Sequence, residues 1–168
     1  KENFMEDATW IDFLKLRASA GIINVDNLPG DEVWAYYAQQ YATSGGGYAF
    51  DSGWNSEFGR TYLGMMATAN PTNEKAYKYN VGVDAKFFGG LDVTLDLWKE
   101  HRTDIWVTSD GKYSAVLGMD TPYENAGVVD SWGVELGLDY NKKIGDFAFN
   151  IGGNFSMNKN EIKEMLEE

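Results

Sequence analysis

Two pairs of carboxylates have the side-chain chemistry of a glycosidase. Asp92 and Asp96 alternate with apolar residues in GLDVTLDLWK, and Glu135 and Asp139 do so in WGVELGLDY. Residues four apart on a strand lie about 13 Å from each other, at about 3.3 Å per residue. The two carboxyl groups of a glycosidase lie about 5–9.5 Å apart. The spacing therefore argues against a catalytic pair within either strand, although a pair across two strands could be closer.

Other catalytic or metal-binding groups are sparse. His101 is the only histidine, so a Ser-His-Asp triad would have to use it. Its neighbours Glu100 and Arg102 are typical of a solvated strand end, and no nucleophile elbow accompanies them. The loop from Asp26 to Glu32 offers hard oxygen ligands suited to calcium, but without EF-hand spacing. We therefore predict no catalytic residue, no metal site and no cofactor.

Aromatic side chains near a loop are candidates for binding. Tyr113 and Tyr123 fall in the polar stretch 108–127, and Trp106 borders it. Flat aromatic faces with a polar tip can stack on sugar rings or pack against a peptide. Packing of the loop itself, or a place at a membrane interface, accounts for these residues equally well. We predict Trp106, Tyr113 and Tyr123 as substrate contacts.

The elements that carry these residues have the period of β-strands. Alternation of apolar and polar residues is clearest at 79–87, 91–98, 132–141 and 147–158. Weaker strand patterns occur at 13–20, 33–43 and 60–67, and Asn, Asp, Pro and Gly mark a loop at 24–32. The sequence thus predicts an all-β chain of about seven strands, joined as consecutive antiparallel hairpins in an up-and-down meander.

Composition narrows the possible partners. The chain has 168 residues and a formal net charge of −12, which argues against nucleic acid and against a polybasic attachment to anionic lipid. It contains no cysteine, which excludes disulfides and thiolate metal sites. No stretch approaches the roughly 20 apolar residues of a membrane helix. If this chain meets a membrane, it does so with strands.

The apolar face of these strands could contact a protein core or lipid. The predicted strands run to about ten residues, which is the membrane-spanning length. Aromatic residues stand near their ends, and short turns alternate with long loops, as in outer-membrane barrels. A soluble β-sandwich or a lipocalin-like barrel alternates in the same way. The pattern favours a membrane barrel without deciding the matter.

This interpretation divides the strand residues between two environments. We predict that the carboxylates face a water-filled lumen and that the branched apolar side chains face lipid. The predicted lumen residues are Asp84, Asp92, Asp96, Glu135 and Asp139. The predicted lipid-facing residues are Leu91, Val93, Leu95, Leu97, Val134, Leu136 and Leu138.

Four segments, in order, have a familiar sequence: FLKLRASAG (13–21), NPTNEKAYKYNVGVDAKFFGGLDVTLDLWKEHRTDIW (70–106), ENAGVVDSWGVELGLDYN (124–141) and IGDFAFNIGGNFSMNKNEI (144–162). Through these segments most of the chain resembles the barrel of SusC/RagA-type TonB-linked outer-membrane transporters. The hairpin NVGVD–FFGG–LDVTLDLW is the most specific of these features. One departure is Glu74-Lys75-Ala76-Tyr77, where the family usually has a Trp-Glu pair.

The resemblance implies a function and partners. Residues 1–168 would be a partial wall of a 22-stranded transmembrane barrel, without the plug domain, in the outer membrane of a Gram-negative bacterium. Such transporters import oligosaccharides or peptides and are not enzymes. Their usual partners are a SusD-like surface lipoprotein and TonB, which would act through an N-terminal region absent from this sequence. A soluble carbohydrate-binding module is the alternative, and an outer-membrane esterase or protease barrel would need catalytic residues that the sequence does not offer.

The resemblance also orients the strands. Short turns belong on the periplasmic side, which places Phe88 to Gly90 and Lys143 to Asp146 there. The loops at 24–32, 67–75, 108–127 and after Asn158 would be extracellular. Counting strands then places 44–59 on the periplasmic side, although this stretch is long for such a turn.

Overall fold

A computed structural model describes residues 8–26, 41–49 and 57–166. The predicted all-β class is confirmed, because these residues form seven strands and two short 3₁₀ turns. The strands are β1 (Ile11–Val25), β2 (Tyr41–Ala49), β3 (Glu57–Leu63), β4 (Glu74–Phe87), β5 (Leu91–Thr108), β6 (Tyr123–Ile144) and β7 (Phe147–Glu164). The 3₁₀ turns, Asp110–Lys112 and Ala115–Leu117, lie between β5 and β6.

Strand order is where the structure differs from the predicted chain of hairpins. The main sheet has the order β1-β4-β5-β6-β7, and β2 pairs with β3 in a separate two-stranded sheet. Consecutive pairing therefore holds from β4 to β7, but the partner of β1 is β4. A connection as long as residues 26–73 has room for its own hairpin, so closeness in sequence does not dictate pairing there. The stretch 44–59 thus belongs to the long connection between β1 and β4, so the strand count that placed it on the periplasmic side does not apply to it.

The glycine run at 45–47 has a structural explanation in the small sheet. β2 pairs with β3 antiparallel from Tyr41–Leu63 to Ser44–Arg60, and pairing resumes at Tyr48–Phe58. Four steps along β2 thus match two steps along β3. Extra residues in one strand form a bulge, where glycine is favoured because it has no side chain to place.

A tight turn joins β4 to β5. Phe88 and Gly89 have φ of 53° and 65°, and the Gly90 amide donates to the Phe87 carbonyl at 3.1 Å. Positive φ at both central residues defines a type I′ turn, which matches the twist of an antiparallel hairpin. Trp10, just before β1, stacks on Phe87 with ring centroids 5.6 Å apart. Because the turn has only one compatible register, it fixes which residues of β4 and β5 share a face.

Most strands of the main sheet extend beyond their predicted ends, and β6 and β7 shorten the predicted loops most. β6 begins at Tyr123, so the connection after β5 is 109–122 rather than 108–127, and β7 continues past Asn158 to Glu164. In β5, Asp104 has a φ of 58°, and β6 continues alongside, with Gly127 against Ile105 and Val107. These extensions carry no simple apolar–polar alternation, which is why the sequence did not reveal them.

The described residues divide into two compact units. One contains 8–23, 76–102 and 129–162, and the other contains 24–26, 41–49, 57–75, 103–128 and 163–166. The first unit is a sheet without a packed core, because the buried apolar side chains among its described residues are Ala76 and Ala85. Most of the loop 26–32 and of the predicted strand 33–43 lies outside the described residues.

Candidate functional site

One face of the main sheet carries the three charged side chains Arg17, Asp84 and Asp96, and we call it the polar face. Its centre is Arg17, in β1. The guanidinium donates to both carboxylate oxygens of Asp84 in β4 at 2.9 Å, and to both oxygens of Asp96 in β5 at 3.0 and 2.8 Å. Paired hydrogen bonds from guanidinium to carboxylate are among the stronger polar contacts in proteins. A single side chain therefore links three neighbouring strands.

Glycine makes room for these large side chains. A Cβ at Gly82 would stand 2.5 Å from Asp96 Oδ1 and 2.7 Å from Arg17 Nη2. A Cβ at Gly133 would stand 2.6–2.7 Å from three atoms of the Trp98 indole. Real Cβ contacts do not reach such distances, so any other residue would displace the side chain above it. The glycines of the polar face are thus part of its packing.

The other predicted lumen carboxylates lie on the same face. Lys86 Nζ is 3.1 Å from Asp92. Glu135 lines an open groove of about 490 Å³ together with Asp96, and Asp139 lies over the glycine opposite it on β7. The structure therefore gathers all five predicted carboxylates on one face, and it brings Asp84 and Asp96 together through Arg17 rather than around a vacant reaction centre.

Lysine and arginine side chains pair with carboxylates on the polar face. The sequence prediction did not assign these cations a function. Lys78 Nζ is 3.1 Å from Glu100, and Arg102 Nε donates to the same carboxylate at 2.5 Å. Lys78 and Arg17 alternate with apolar or aromatic neighbours, just as the carboxylates do. The alternation at every second residue could have placed these cations on the polar face from sequence alone, without showing which carboxylates they contact.

His101 belongs to an ion-pair cluster. Its Nδ1 is 2.5 Å from Asp130, Lys99 Nζ is 3.9 Å from the same carboxylate, and the imidazole lies 6.1 Å from the Tyr77 ring. Among the described residues, no group of three or more His, Asp or Glu could hold a metal ion. These contacts indicate a structural role for the imidazole.

The opposite face of the sheet, which we call the apolar face, exposes large apolar side chains. Leu97, Leu138, Phe155 and Ile151 have exposed fractions of 49%, 41%, 59% and 68%. Leu91, Leu136 and Tyr140 border an open groove on this face together with Ile151 and Phe155. Contiguous apolar surface of this kind marks a contact with protein or with membrane.

A smaller groove lies in the second unit, next to the loop between β5 and β6. It measures about 350 Å³ and includes Tyr113, Lys112 and Glu124 together with residues 66–72. The Tyr113 hydroxyl donates to Glu124 at 3.1 Å, and Lys112 Nζ lies 2.7 Å from that carboxylate. The hydrogen bond from Lys112 to Glu124 raises the pKa of Lys112. Tyr113 therefore lies next to the ion pair of Lys112 and Glu124 on this loop.

The three aromatic candidates do not converge on one place. Tyr113 lines the loop groove. Tyr123 begins β6, and its backbone carbonyl accepts a hydrogen bond from Thr68 Oγ1 at 2.7 Å. Trp106 lies half-buried within β5. Of the three, only Tyr113 is placed by the described contacts with its side chain on a groove.

Comparison with known proteins agrees with this geometry. A family model described as "TonB dependent receptor-like, beta-barrel" matches residues 10–164. TonB-dependent receptors P3 and P39 of Formosa agariphila are 25% identical over 168 residues and 27% identical over 175 residues. These matches cover 98% and 100% of this chain, but only 16% and 15% of the relatives. The chain thus spans about a sixth of their length.

Solved structures show the same fold. The structure of the RagAB peptide importer in the closed-closed state matches with a TM-score of 0.74 at 18% identity, covering 98% of this chain and 17% of that one. Its open-open state matches with a TM-score of 0.73 at 21% identity, covering 97% and 17%. Among the described residues, no helix has the length and apolar character needed to cross a membrane.

Proposed function

Because this chain belongs to the TonB-dependent receptor-like β-barrel family, we propose that it forms part of the wall of an outer-membrane transporter that imports glycans or peptides. The resemblance of the sequence to SusC/RagA-type transporters is confirmed at the level of family and fold. The RagAB structures are described as those of a peptide importer, which favours import of oligomeric nutrients over small ions. The function proposed for this chain is passage of a substrate, with no bond made or broken.

The observation that carries the proposal is the pair of faces of the main sheet. An apolar face with side chains such as Ile151 68% exposed is costly in water, and the same face is favourable against lipid hydrocarbon. On the polar face Asp84, Asp92 and Asp96 are paired with cations, which suits a wetted barrel interior. We therefore assign the apolar row of β5 and β6 to lipid and the five carboxylates to the lumen.

The position of the bilayer follows from the turn at Phe88. A transmembrane strand needs about 9–11 tilted residues, so β5 would cross between Leu91 and about Lys99. Trp10 and Phe88, with 51% and 67% of their surface exposed, would then sit at the periplasmic interface. We propose that Tyr113, in the loop between β5 and β6, contacts the substrate or the lipoprotein partner.

Partners follow from the family rather than from the described residues. We propose a SusD-like surface lipoprotein over the outer mouth and TonB on the periplasmic side, in the outer membrane of a Gram-negative bacterium. Trp106 and Tyr123 remain proposed substrate contacts beside Tyr113. The alternative of a soluble carbohydrate-binding module lacks an explanation for the exposed apolar face.

Adjacent cysteines on the two faces test the proposal. Thr94 lies on the polar face and Leu95 on the apolar face, and this chain has no cysteine of its own. Thr94→Cys and Leu95→Cys, made in the full-length gene product with any other cysteines replaced, are labelled in intact outer membranes. We expect a hydrophilic maleimide to modify position 94 and a lipid-soluble maleimide to modify position 95.

Two results would contradict the proposal. One is equal reaction of both positions with the hydrophilic maleimide in the membrane. The other is recovery of the gene product in the soluble fraction, folded without detergent, which would favour the soluble module.

A further inference from the structure

Trp98 stands out on the polar face. The other members of its row in β5 are hydrophilic: Asp92, Thr94, Asp96, Glu100 and Arg102. Neither ion pairing nor lipid contact accounts for an indole in this row. The side chain is nevertheless placed by the fold, because its ring lies over Gly133 with three atoms 2.6–2.7 Å from where a Cβ would stand. One side of the indole is thus supported by β6.

A groove of about 570 Å³ opens beside the indole. Gly21 and Ile23 of β1 give it apolar surface, and Ser19 and Asn80 give it uncharged polar groups. This volume falls in the range of small-molecule sites, about 300–1,000 Å³, which are mostly apolar with a few placed polar groups. The groove lies within the first compact unit.

The charges around the groove are already paired. Lys78 bonds Glu100, and Arg102 bonds the same carboxylate. Lys99 Nζ lies 3.9 Å from Asp130, and Asp96 is held by Arg17 and by the side chain of Asn80. A charged ligand would have to break these pairs, and burying a charge without a partner is costly. The groove therefore suits a ligand that is neutral overall.

The uncharged polar side chains Ser19 and Asn80 narrow the class of ligand further, and Asn80 keeps hydrogen-bonding capacity beyond its bond to Asp96. A serine hydroxyl and a side-chain amide both donate and accept hydrogen bonds, as sugar hydroxyls do. A sugar ring also has an apolar face of C–H groups that matches a flat indole, by the same pairing of apolar body and polar edge that aromatic side chains offer.

We propose that the groove beside Trp98 binds one uncharged pyranose ring of a glycan in transit. The exposed side of the indole stacks on the apolar face of the sugar, and Ser19 and Asn80 bond its hydroxyls. The inference rests on the proposed function, because it takes the polar face as the wall of the transport path. It narrows the substrate class from glycans or peptides to uncharged glycans.

Binding measurements on the full-length protein test the proposal. The probes are maltohexaose, cellohexaose, laminarihexaose and an uncharged hexapeptide with blocked ends, measured by calorimetry in detergent. We expect at least one sugar to bind, and Trp98→Ala to weaken it about tenfold or more, a common cost of deleting a central aromatic contact. Trp98→Phe keeps a flat ring and should stay within about threefold.

Two further variants separate stacking from folding. Gly133→Ala keeps the tryptophan but pushes its ring out of position. This variant should therefore weaken sugar binding, as Trp98→Ala does. Trp132→Ala is the matched control, since it removes an indole from the neighbouring residue of β6, which faces the other side of the sheet. It should leave sugar affinity unchanged. Folding of each variant is checked by its resistance to protease in outer-membrane vesicles.

The outcomes distinguish this inference from the proposed function. Sugar affinity that survives Trp98→Ala, or no binding of any of the three sugars, overturns the pyranose site. Binding of the hexapeptide that Trp98→Ala weakens also overturns it, and supports a peptide groove in an otherwise intact transporter. Failure of the wild-type protein to reach the outer membrane, measured in the same preparations, would instead refute the proposed function.

Discussion

The assignment of the apolar face to lipid has a measurable energetic consequence at Leu95. This residue stands five positions after Gly90, about 17 Å along the strand at about 3.3 Å per residue. With a strand tilt near 40°, it lies about 13 Å from the periplasmic interface, close to the middle of an apolar band about 25 Å tall. Arginine on the lipid face costs about 2–4 kcal/mol at the midplane and about 0–1 kcal/mol near an interface.

We therefore expect Leu95→Arg to lower the free energy of unfolding by about 2–4 kcal/mol, or roughly 30-fold to 900-fold in the folding equilibrium. Leu91→Arg, one residue from the turn, should cost about 1 kcal/mol or less. The assay is urea-induced unfolding of the full-length protein in liposomes, followed by tryptophan fluorescence.

Thr94→Arg is the control for the arginine itself. Thr94 is exposed on the polar face, and the residue opposite it on β6 is Gly137, whose Cβ would lie 3.8 Å from Thr94 Cβ. There is room for a longer side chain, so we expect little loss of stability. Equal costs at positions 91 and 95, or a cost at position 94 as large as at 95, would refute the placement of the apolar row in hydrocarbon.

Three further predictions follow from local geometry. Gly133→Ala should shift the emission of the indole above it, whereas Gly137→Ala should not, because the second Cβ meets only an ordinary 3.8 Å contact; fluorescence of both variants checks this. Phe88→Gly should relieve the positive φ of the turn and stabilise the hairpin by up to about 1 kcal/mol, less any lost ring contact, whereas Phe88→Val should destabilise it; urea titration measures both. Glu124 raises the pKa of Lys112 in the folded protein. The stability that this ion pair gives to the folded state is therefore fully present below the ordinary lysine pKa, and it is lost only as the pH rises through the raised pKa of the folded protein. Glu124→Gln should bring that pKa down, as measured by NMR of the side-chain amine, and an unchanged pKa would contradict the pairing.

The predictable part of the fold was the part with a strict period of two. From Tyr79 to Met157 each strand shows one apolar row, and short turns limit the pairing choices, so β4 to β7 followed from sequence. The partner of β1 did not, because residues 26–73 separate it from β4 and nothing local in β1 encodes that neighbour. The start of β6 at Tyr123 and the end of β7 at Glu164 were also missed, because these stretches lack a simple apolar–polar alternation.

For the site too, the sequence predicted which residues share a face but not which residues of distant strands contact each other. Alternation placed the five carboxylates on one face, and the structure agrees. Their partners were not predictable, because Arg17 reaches Asp84 and Asp96 across 67 and 79 residues of sequence. Electrostatics specifies that each carboxylate needs a cation, but strand order decides which cation is near.

The glycines of the polar face show how the strand order and the side-chain contacts depend on each other. Gly82 is required only because β1 and β5 place Arg17 and Asp96 over it, and Gly133 only because β5 places Trp98 there. In the sequence alone each of these glycines looks like a weak strand position, since glycine adds no packing. In the sheet each one makes room for a large side chain of a neighbouring strand. The positions least favourable to a strand by propensity are therefore the ones where the wall holds its most organised side chains, and a change to alanine there should disturb the polar face while leaving the pairing of the strands intact.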